Sequence, residues 1–180
     1  GIRDIGVTGV QTCALPIYPD VRDPDRAGPR TVAVSNHPLE VMASRIGGPH
    51  VTIRWIIPEG IDPAFWNPTA EDVADMQAAD LILLNGATYE KWLPTASLPS
   101  ARTIDTTRSV SDRLIRTEGH VHSHGPDGAH SHGETAFTTW LDPDLMVAQA
   151  GAVRDALVAS FPANQEVFDS DRKSTRLNSS

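Results

Sequence analysis

The chain has 180 residues, 39% of them hydrophobic, and a formal net charge of −8, values that suit one globular domain with a sizeable core. An acidic chain lacks the basic surface that nucleic acid requires, so DNA and RNA are not expected as partners. No apolar run approaches the roughly 18 residues of a membrane span. The single cysteine, Cys13, leaves no pair for a disulfide or a thiolate metal cage.

Both ends of the chain differ in character from the middle. Residues 1–17 and 172–180 resemble translated sequencing-adapter sequence, so we interpret them as a non-native leader and a non-native tail. Residues 18–30 contain prolines and many charges, and this composition indicates a linker. The native lobe is therefore expected over residues 31–162.

Strand and helix patterns alternate in this middle part. Short β-branched or apolar runs predict strands near residues 31–35, 51–57, 80–84 and 102–105. Helices are predicted over residues 38–46, 69–78 and 87–93, from Pro143 and from Pro162. The signals are apolar residues at helical spacing, a capping box at Thr69 and an Asp142-Pro143 helix start. The alternation predicts an α/β fold, a three-layer lobe with a roughly four-stranded parallel sheet and helices on both faces.

A histidine-rich run gives the strongest functional signal. Five of the seven histidines fall between residues 118 and 134, spaced by small and polar residues that cannot build a core element. Neutral imidazole is the commonest protein ligand of Zn²⁺ and similar ions, so the run predicts a solvated metal-binding loop. The predicted ligands are His120, His122, His124, His130 and His132. A polar linker that binds no metal is the alternative interpretation.

A second candidate metal site lies at the carboxyl ends of the predicted strands, where open parallel sheets bind their ligands. His37 follows the first strand, Asp62 follows the second and Glu90 lies after the third. We therefore expect His37, with Asp62 or Glu90, to supply this lobe's share of a metal site. The alternative is that His37 only caps the helix that begins at Pro38.

Six motifs, in this order, resemble the zinc/manganese solute-binding proteins of ABC importers. They are Gly47-Gly48, residues 57–63, 67–72 and 79–86, the histidine-rich loop and Trp140-Leu-Asp-Pro143. The resemblance covers roughly residues 31–170. It implies the first lobe of a two-lobed periplasmic metal-binding protein, with the interlobe helix beginning over residues 163–171 and a second lobe outside this sequence.

The resemblance also implies a function. The expected protein is a monomeric, periplasmic or otherwise extracytoplasmic receptor that captures a divalent metal and delivers it to an ABC permease in the membrane. Zinc is the expected cargo, with manganese or another divalent transition metal as the alternative. Three other functions stay open: a zinc buffer or chaperone acting through the histidine loop, a receptor of the same fold for a non-metal solute, and a metal-dependent enzyme. No Ser-His-Asp order, phosphate loop or supported carboxylate pair is present in the sequence, so an enzyme is not expected.

Two positions depart from the motifs of this family. Where the family places a ligand histidine after a proline, this chain has Ala64, and where it places another, two residues before Trp140, this chain has Thr138. Neither side chain replaces an imidazole as a strong zinc ligand. A metal site in the cleft is therefore not expected to use these two positions.

Overall fold

A parallel sheet forms the centre of the lobe. The computed structural model describes residues 28–55, 57–58, 60–62, 66–117 and 134–170. Four strands pair in the order β2-β1-β3-β4, and all three pairings are parallel. Their bounds are β1 (Arg30–Val34), β2 (Val51–Trp55), β3 (Leu81–Leu84) and β4 (Thr103–Asp105). The predicted sheet is confirmed, and its strand ends are displaced by one or two residues.

Helices cover both faces of the sheet, because successive strand side chains point to opposite faces. Val32, Val34, Leu81 and Leu83 pack in one core with the first and third helices. Ala33, Ile82 and Leu84 pack in the other core with the second helix. The helices are α1 (His37–Gly47), α2 (Ala70–Gln77) and α3 (Pro143–Ser160). The predicted three-layer α/β architecture is confirmed, and none of these helices in the described part of the chain has the length and apolar character of a membrane span.

Polar caps fix where the helices begin. Asn36 Oδ1 accepts the backbone N–H of Leu39 at 3.0 Å, so Asn36 caps α1 and His37 is the first residue inside the helix. The alternative that His37 only caps α1 is wrong, because the shorter Asn36 side chain holds this position. At α2, Thr69 and Asp72 form the predicted capping box. Each cap satisfies N–H groups that would otherwise lack a partner.

The helix predicted over residues 87–93 does not form, and this prediction is wrong. Ala87 (φ 51°) and Thr88 (φ 62°) both lie in the left-handed region, from which a right-handed helix cannot start. The side chain of Glu90 instead accepts backbone N–H groups of the preceding loop. A 3-10 turn, Leu93–Thr95, is the regular structure in this segment.

The chain that follows α3 also packs on the lobe. A 3-10 turn, Pro162–Asn164, leads into helical residues 165–170. Phe168 is 1% exposed in the core that α1 and α3 share, and its ring meets that of His50 edge-on at 6.4 Å. The helix predicted from Pro162 is thus present, and its first residues are held by the lobe.

Two short strands, β5 (Arg116–Thr117) and β6 (Glu134–Thr135), pair antiparallel where the histidine-rich segment leaves and rejoins the described chain. This pair was not expected from the sequence. The predicted leader, tail and most of the linker lie outside the described residues, as do residues 118–133.

Candidate functional site

A buried polar cluster lies at the carboxyl ends of β1, β3 and β4, the edge at which parallel sheets bind ligands. Its members come from the loops after these strands, from the segment before α3 and from α3 itself. They are Ser35, Asn36, Asn85, Glu90, Thr106, Thr139 and Gln149, all of them buried. Buried polar groups are costly unless they are hydrogen-bonded, so the pairing within this cluster determines its stability.

Asn85, which is 0% exposed, is the hub of the cluster. Its Oδ1 accepts hydrogen bonds from Asn36 Nδ2 at 3.0 Å and from Gln149 Nε2 at 3.2 Å. Its Nδ2 donates to the backbone carbonyl of Phe137 at 3.0 Å. Gln149 Nε2 also donates to Thr106 Oγ1 at 3.1 Å. One amide therefore ties the loop after β3 to the start of α1, to α3 and to the segment that precedes α3.

The carboxylate of Glu90 holds the loop after β3 from the other side. Oε1 accepts hydrogen bonds from Ser35 Oγ at 2.5 Å and from the backbone N–H of Asn85 at 2.6 Å. Oε2 accepts the backbone N–H of Gly86 at 3.1 Å. Burial raises the pKa of Glu90 above its ordinary value, and these donors act in the opposite direction. Both oxygens are thus engaged in fixing the loop.

Tyr89 links this cluster to aromatic side chains before α3. Its ring centroid lies 5.3 Å from that of Phe137 and 5.7 Å from that of Trp140. Burial, together with the negative charges of Asp62 and Glu90, raises the pKa of Tyr89 to about 12. Both carboxylates therefore lie near the phenol, which stays protonated at neutral pH.

Residues 86–88, here called the left-handed turn, carry three positive φ angles in succession: 78° at Gly86, 51° at Ala87 and 62° at Thr88. A Cβ at Gly86 would lie 1.8 Å from Asp105 Oδ1 and 2.4 Å from Thr107 Oγ1, so only glycine fits there. Left-handed backbone at non-glycine residues is strained and is concentrated at functional sites. Such strain beside the polar cluster marks this edge of the lobe as the candidate site.

Substituting Glu90 with glutamine should change how stability depends on pH. Burial raises the pKa of Glu90 in the folded protein above 4.5, so the folded state binds this proton more tightly than the unfolded chain. The stabilisation that this bound proton provides is fully present at pH values below the pKa of Glu90 in the unfolded chain. It is lost as the pH rises through the pKa of Glu90 in the folded protein. Relative to Glu90→Gln, the wild-type free energy of unfolding should therefore fall as pH rises.

Urea unfolding of both proteins in metal-free buffer, at several values between about pH 4.5 and 8, measures this trend. Glu71→Gln is the matched control, because Glu71 is an exposed residue of α2, and its stability should follow that of the wild type. A difference between wild type and Glu90→Gln that does not vary with pH would contradict the prediction.

Three of the predicted metal ligands lie in the described chain. His37 is 77% exposed, and its Nδ1 lies 2.8 Å from Glu40 Oε2. Asp62 is exposed, whereas Glu90 is buried. Within the described residues, no group of three or more His, Cys, Asp or Glu side chains is close enough to hold a metal ion. Among the described side chains, His37, Asp62 and Glu90 therefore do not form a three-ligand site.

The other positions singled out in the sequence lie either outside the described residues or at the surface. His120, His122, His124, His130 and His132 lie outside the described residues, as does Ala64. Thr138 is exposed, whereas the next residue, Thr139, is buried and donates from Oγ1 to Gln149 Oε1 at 2.9 Å. The side chain of Thr138 therefore lies at the surface, whereas that of Thr139 belongs to the polar cluster.

Thr139 and Gln149 were not predicted as site residues. A signal was present for Gln149, which lies at helical spacing between Leu145 and Val153 on the buried face of α3. A polar residue on an apolar helix stripe must find buried partners. The sequence alone could not show that its partners are Asn85 and Thr106, because their contacts span 64 and 43 residues.

The fold of this chain matches about half the length of several solved metal-binding proteins. The backbone superposes on the metal-dependent lipoprotein YcdH from Bacillus subtilis with a TM-score of 0.64, at 21% identity, over 81% of this chain and 50% of that one. The sequence model of the family described as "Zinc-uptake complex component A periplasmic" matches residues 32–176. The chain belongs to this family.

Curated relatives agree with this assignment. The zinc-binding lipoprotein AdcA of Streptococcus pneumoniae is 23% identical over 93% of this chain and 34% of its own length. The manganese ABC transporter substrate-binding lipoprotein PsaA of Streptococcus anginosus is 26% identical over 79% of this chain and 45% of its own length. The chain thus spans between a third and a half of the curated relatives it matches.

Proposed function

We propose that this chain is the first lobe of an extracytoplasmic receptor that captures a divalent metal, zinc in the first place, and delivers it to an ABC permease. The main support for this proposal is the family match over residues 32–176. Relatives named for zinc and for manganese support a transition-metal cargo, with manganese as the alternative to zinc. The names lipoprotein and periplasmic support an extracytoplasmic location. We propose a monomer whose role is binding and not catalysis.

His37 is the described imidazole best placed to bind the metal. It begins α1 at the carboxyl end of β1, and most of its side chain is exposed. The contact between Nδ1 and Glu40 orients the ring so that Nε2 would be the ligating atom, an arrangement typical of carboxylate-supported metal-binding histidines. We therefore propose that His37 is one of the metal ligands that this lobe supplies.

A carboxylate is proposed as the second ligand. Asp62 follows β2, the neighbour of β1 in the sheet, and is exposed. Glu90 is the weaker candidate, because both of its oxygens already accept hydrogen bonds from the loop after β3. Glu90 would act by holding that loop in place. Two ligands leave an open and weak site, which a second lobe would have to complete.

The histidine-rich loop is proposed as the site that collects metal from dilute solution. Its five histidines lie in residues 118–134, between β5 and the end of β6, and these two strands pair beside the candidate site. One observation favours a zinc buffer or chaperone as the second candidate function. Exposed Thr138 stands where the family has a ligand, so the loop would then be the main site. A non-metal solute is the further alternative and predicts no zinc in the cleft.

Zinc titration calorimetry of this chain tests the proposal. The wild type should bind more than one Zn²⁺ weakly, and binding should weaken steeply below about pH 6 as the imidazoles protonate. Replacing the five loop histidines with serine should remove all but one weak site. Adding His37→Ala should abolish that remaining site. Adding His50→Ala instead should leave it unchanged, because His50 pairs with Asn164 beside Phe168 in a different part of the lobe.

Two results would contradict the proposal. An unchanged stoichiometry in the five-serine variant would remove the loop as a zinc site. Equal residual affinity with and without His37→Ala would remove His37 from the cleft site and favour the non-metal solute.

A further inference from the structure

An open groove of about 450 Å³ lies beside the left-handed turn, on its outer side. The side chains that line it come from this turn, from the segment after β4 and from the β5–β6 pair. Those that carry a hydroxyl or a positive charge are Thr88, Thr107, Arg108, Ser111, Arg116 and Thr135. The volume falls within the range of small-molecule sites, roughly 300–1,000 Å³. We call it the arginine groove.

Two guanidinium groups make the arginine groove cationic in a chain whose net charge is −8. Arg108 and Arg116 are both exposed, and neither forms an ion pair with a carboxylate of the described residues. By contrast, Arg54 lies 2.6 Å from Asp75 in the described lobe. A guanidinium without a protein partner can bind a carboxylate with two parallel hydrogen bonds.

Ordered backbone supports both arginines. Arg116 and Thr135 are direct partners in the β5–β6 ladder, so their side chains project from the same face toward the groove. Arg108 begins a 3-10 turn that is anchored by Val110, which is 6% exposed. Side chains on fixed backbone lose less freedom when a ligand binds.

The other charged residue of the groove does not cancel this charge. Asp105 also lines the groove, and its Oδ1 accepts the backbone N–H of Thr107 at 2.9 Å and the hydroxyl of Thr107 at 3.0 Å. One locally bonded carboxylate therefore faces two guanidinium groups. Thr88, which also lines the groove, has a strained backbone and is exposed, and strain of this kind is retained where function uses it.

We propose that the arginine groove binds a small polycarboxylate anion. One carboxylate would bind the guanidinium of Arg108 and a second that of Arg116, and the hydroxyls of Thr88, Ser111 and Thr135 would donate to the remaining oxygens. This site is distinct from the proposed metal ligands His37 and Asp62. It gives the lobe a solute-binding capacity that does not depend on metal.

Titration calorimetry with tricarballylate, a tricarboxylate, tests this inference on the chain after treatment with a chelating resin. The anion should bind with a stoichiometry of one, and raising the salt concentration tenfold should weaken binding. Arg108→Gln and Arg116→Gln should each reduce the affinity at least tenfold. The matched control is Arg45→Gln, because Arg45 is an exposed arginine in the last turn of α1, away from the groove. It should leave the affinity unchanged.

Circular dichroism and thermal unfolding show whether the variants remain folded. If Arg108→Gln is not folded, Arg108→Lys gives a second test. It keeps the charge and loses the two-pronged geometry, so its affinity for tricarballylate should be lower than that of the wild type. No binding of tricarballylate, binding of inorganic phosphate alone, or equal losses in Arg45→Gln and the groove variants would overturn the proposal.

Discussion

Replacing Asn85 with alanine should lower the free energy of unfolding by about 4 kcal/mol. The side chain is 0% exposed and links the loop after β3 to α1, to α3 and to the segment before α3. Its removal leaves Asn36 Nδ2 and the Phe137 carbonyl without their partner, and it removes one of the acceptors of Gln149 Nε2. Each buried polar group that loses its partner costs roughly 1–3 kcal/mol, and the vacated volume adds to this.

Urea unfolding followed by far-ultraviolet circular dichroism measures this loss. Gln77→Ala is the control, because Gln77 Nε2 also donates a hydrogen bond, to the Ser97 carbonyl at 2.5 Å, but does so at the surface. An exposed amide can exchange its partner for water, so the control should change stability by less than about 1 kcal/mol. Similar values for the two variants would show that the polar cluster does not hold the lobe together.

The sheet was predictable from the sequence because its signal is local. The run Leu81–Leu84 is fully buried, and continuous apolar character of this kind is typical of a parallel strand covered on both faces. The capping box at Thr69 and Asp72 is likewise a pattern of adjacent residues that needs no tertiary context. Alternation of strands and helices then leaves few possible topologies.

The loop after β3 was not predictable in the same way. Residues 87–93 contain good helix formers, yet a hydrogen bond from Ser35, which lies 55 residues earlier, fixes the Glu90 carboxylate where it accepts the N–H groups of Asn85 and Gly86. Tertiary contacts of this kind outweigh helix propensity, which amounts to less than about 1 kcal/mol per residue. The sequence indicated a ligand-binding edge, but the buried amides that build it became visible only with the fold.

Gly86→Ala should lower the free energy of unfolding by about 3 kcal/mol, because two costs add. The first is backbone strain, since φ at this position is 78°, and a left-handed conformation costs a non-glycine residue roughly 1 kcal/mol or more. The second is a collision, since the new Cβ would lie 1.8 Å from Asp105 Oδ1 and 2.4 Å from Thr107 Oγ1. Relief of this overlap requires Asp105 to release its hydrogen bonds with Thr107.

Gly60→Ala separates the two costs. Gly60 has nearly the same φ, 80°, but no atom lies within 4 Å of its added Cβ. It should therefore show the strain alone, about 1 kcal/mol. The excess cost at Gly86 should shrink when Asp105→Ala is introduced as well, because the nearest obstructing carboxylate is then absent. If the two glycine variants lose equal stability in urea unfolding, the contact between the left-handed turn and the end of β4 is not tight, and glycine is needed at Gly86 for its backbone conformation alone.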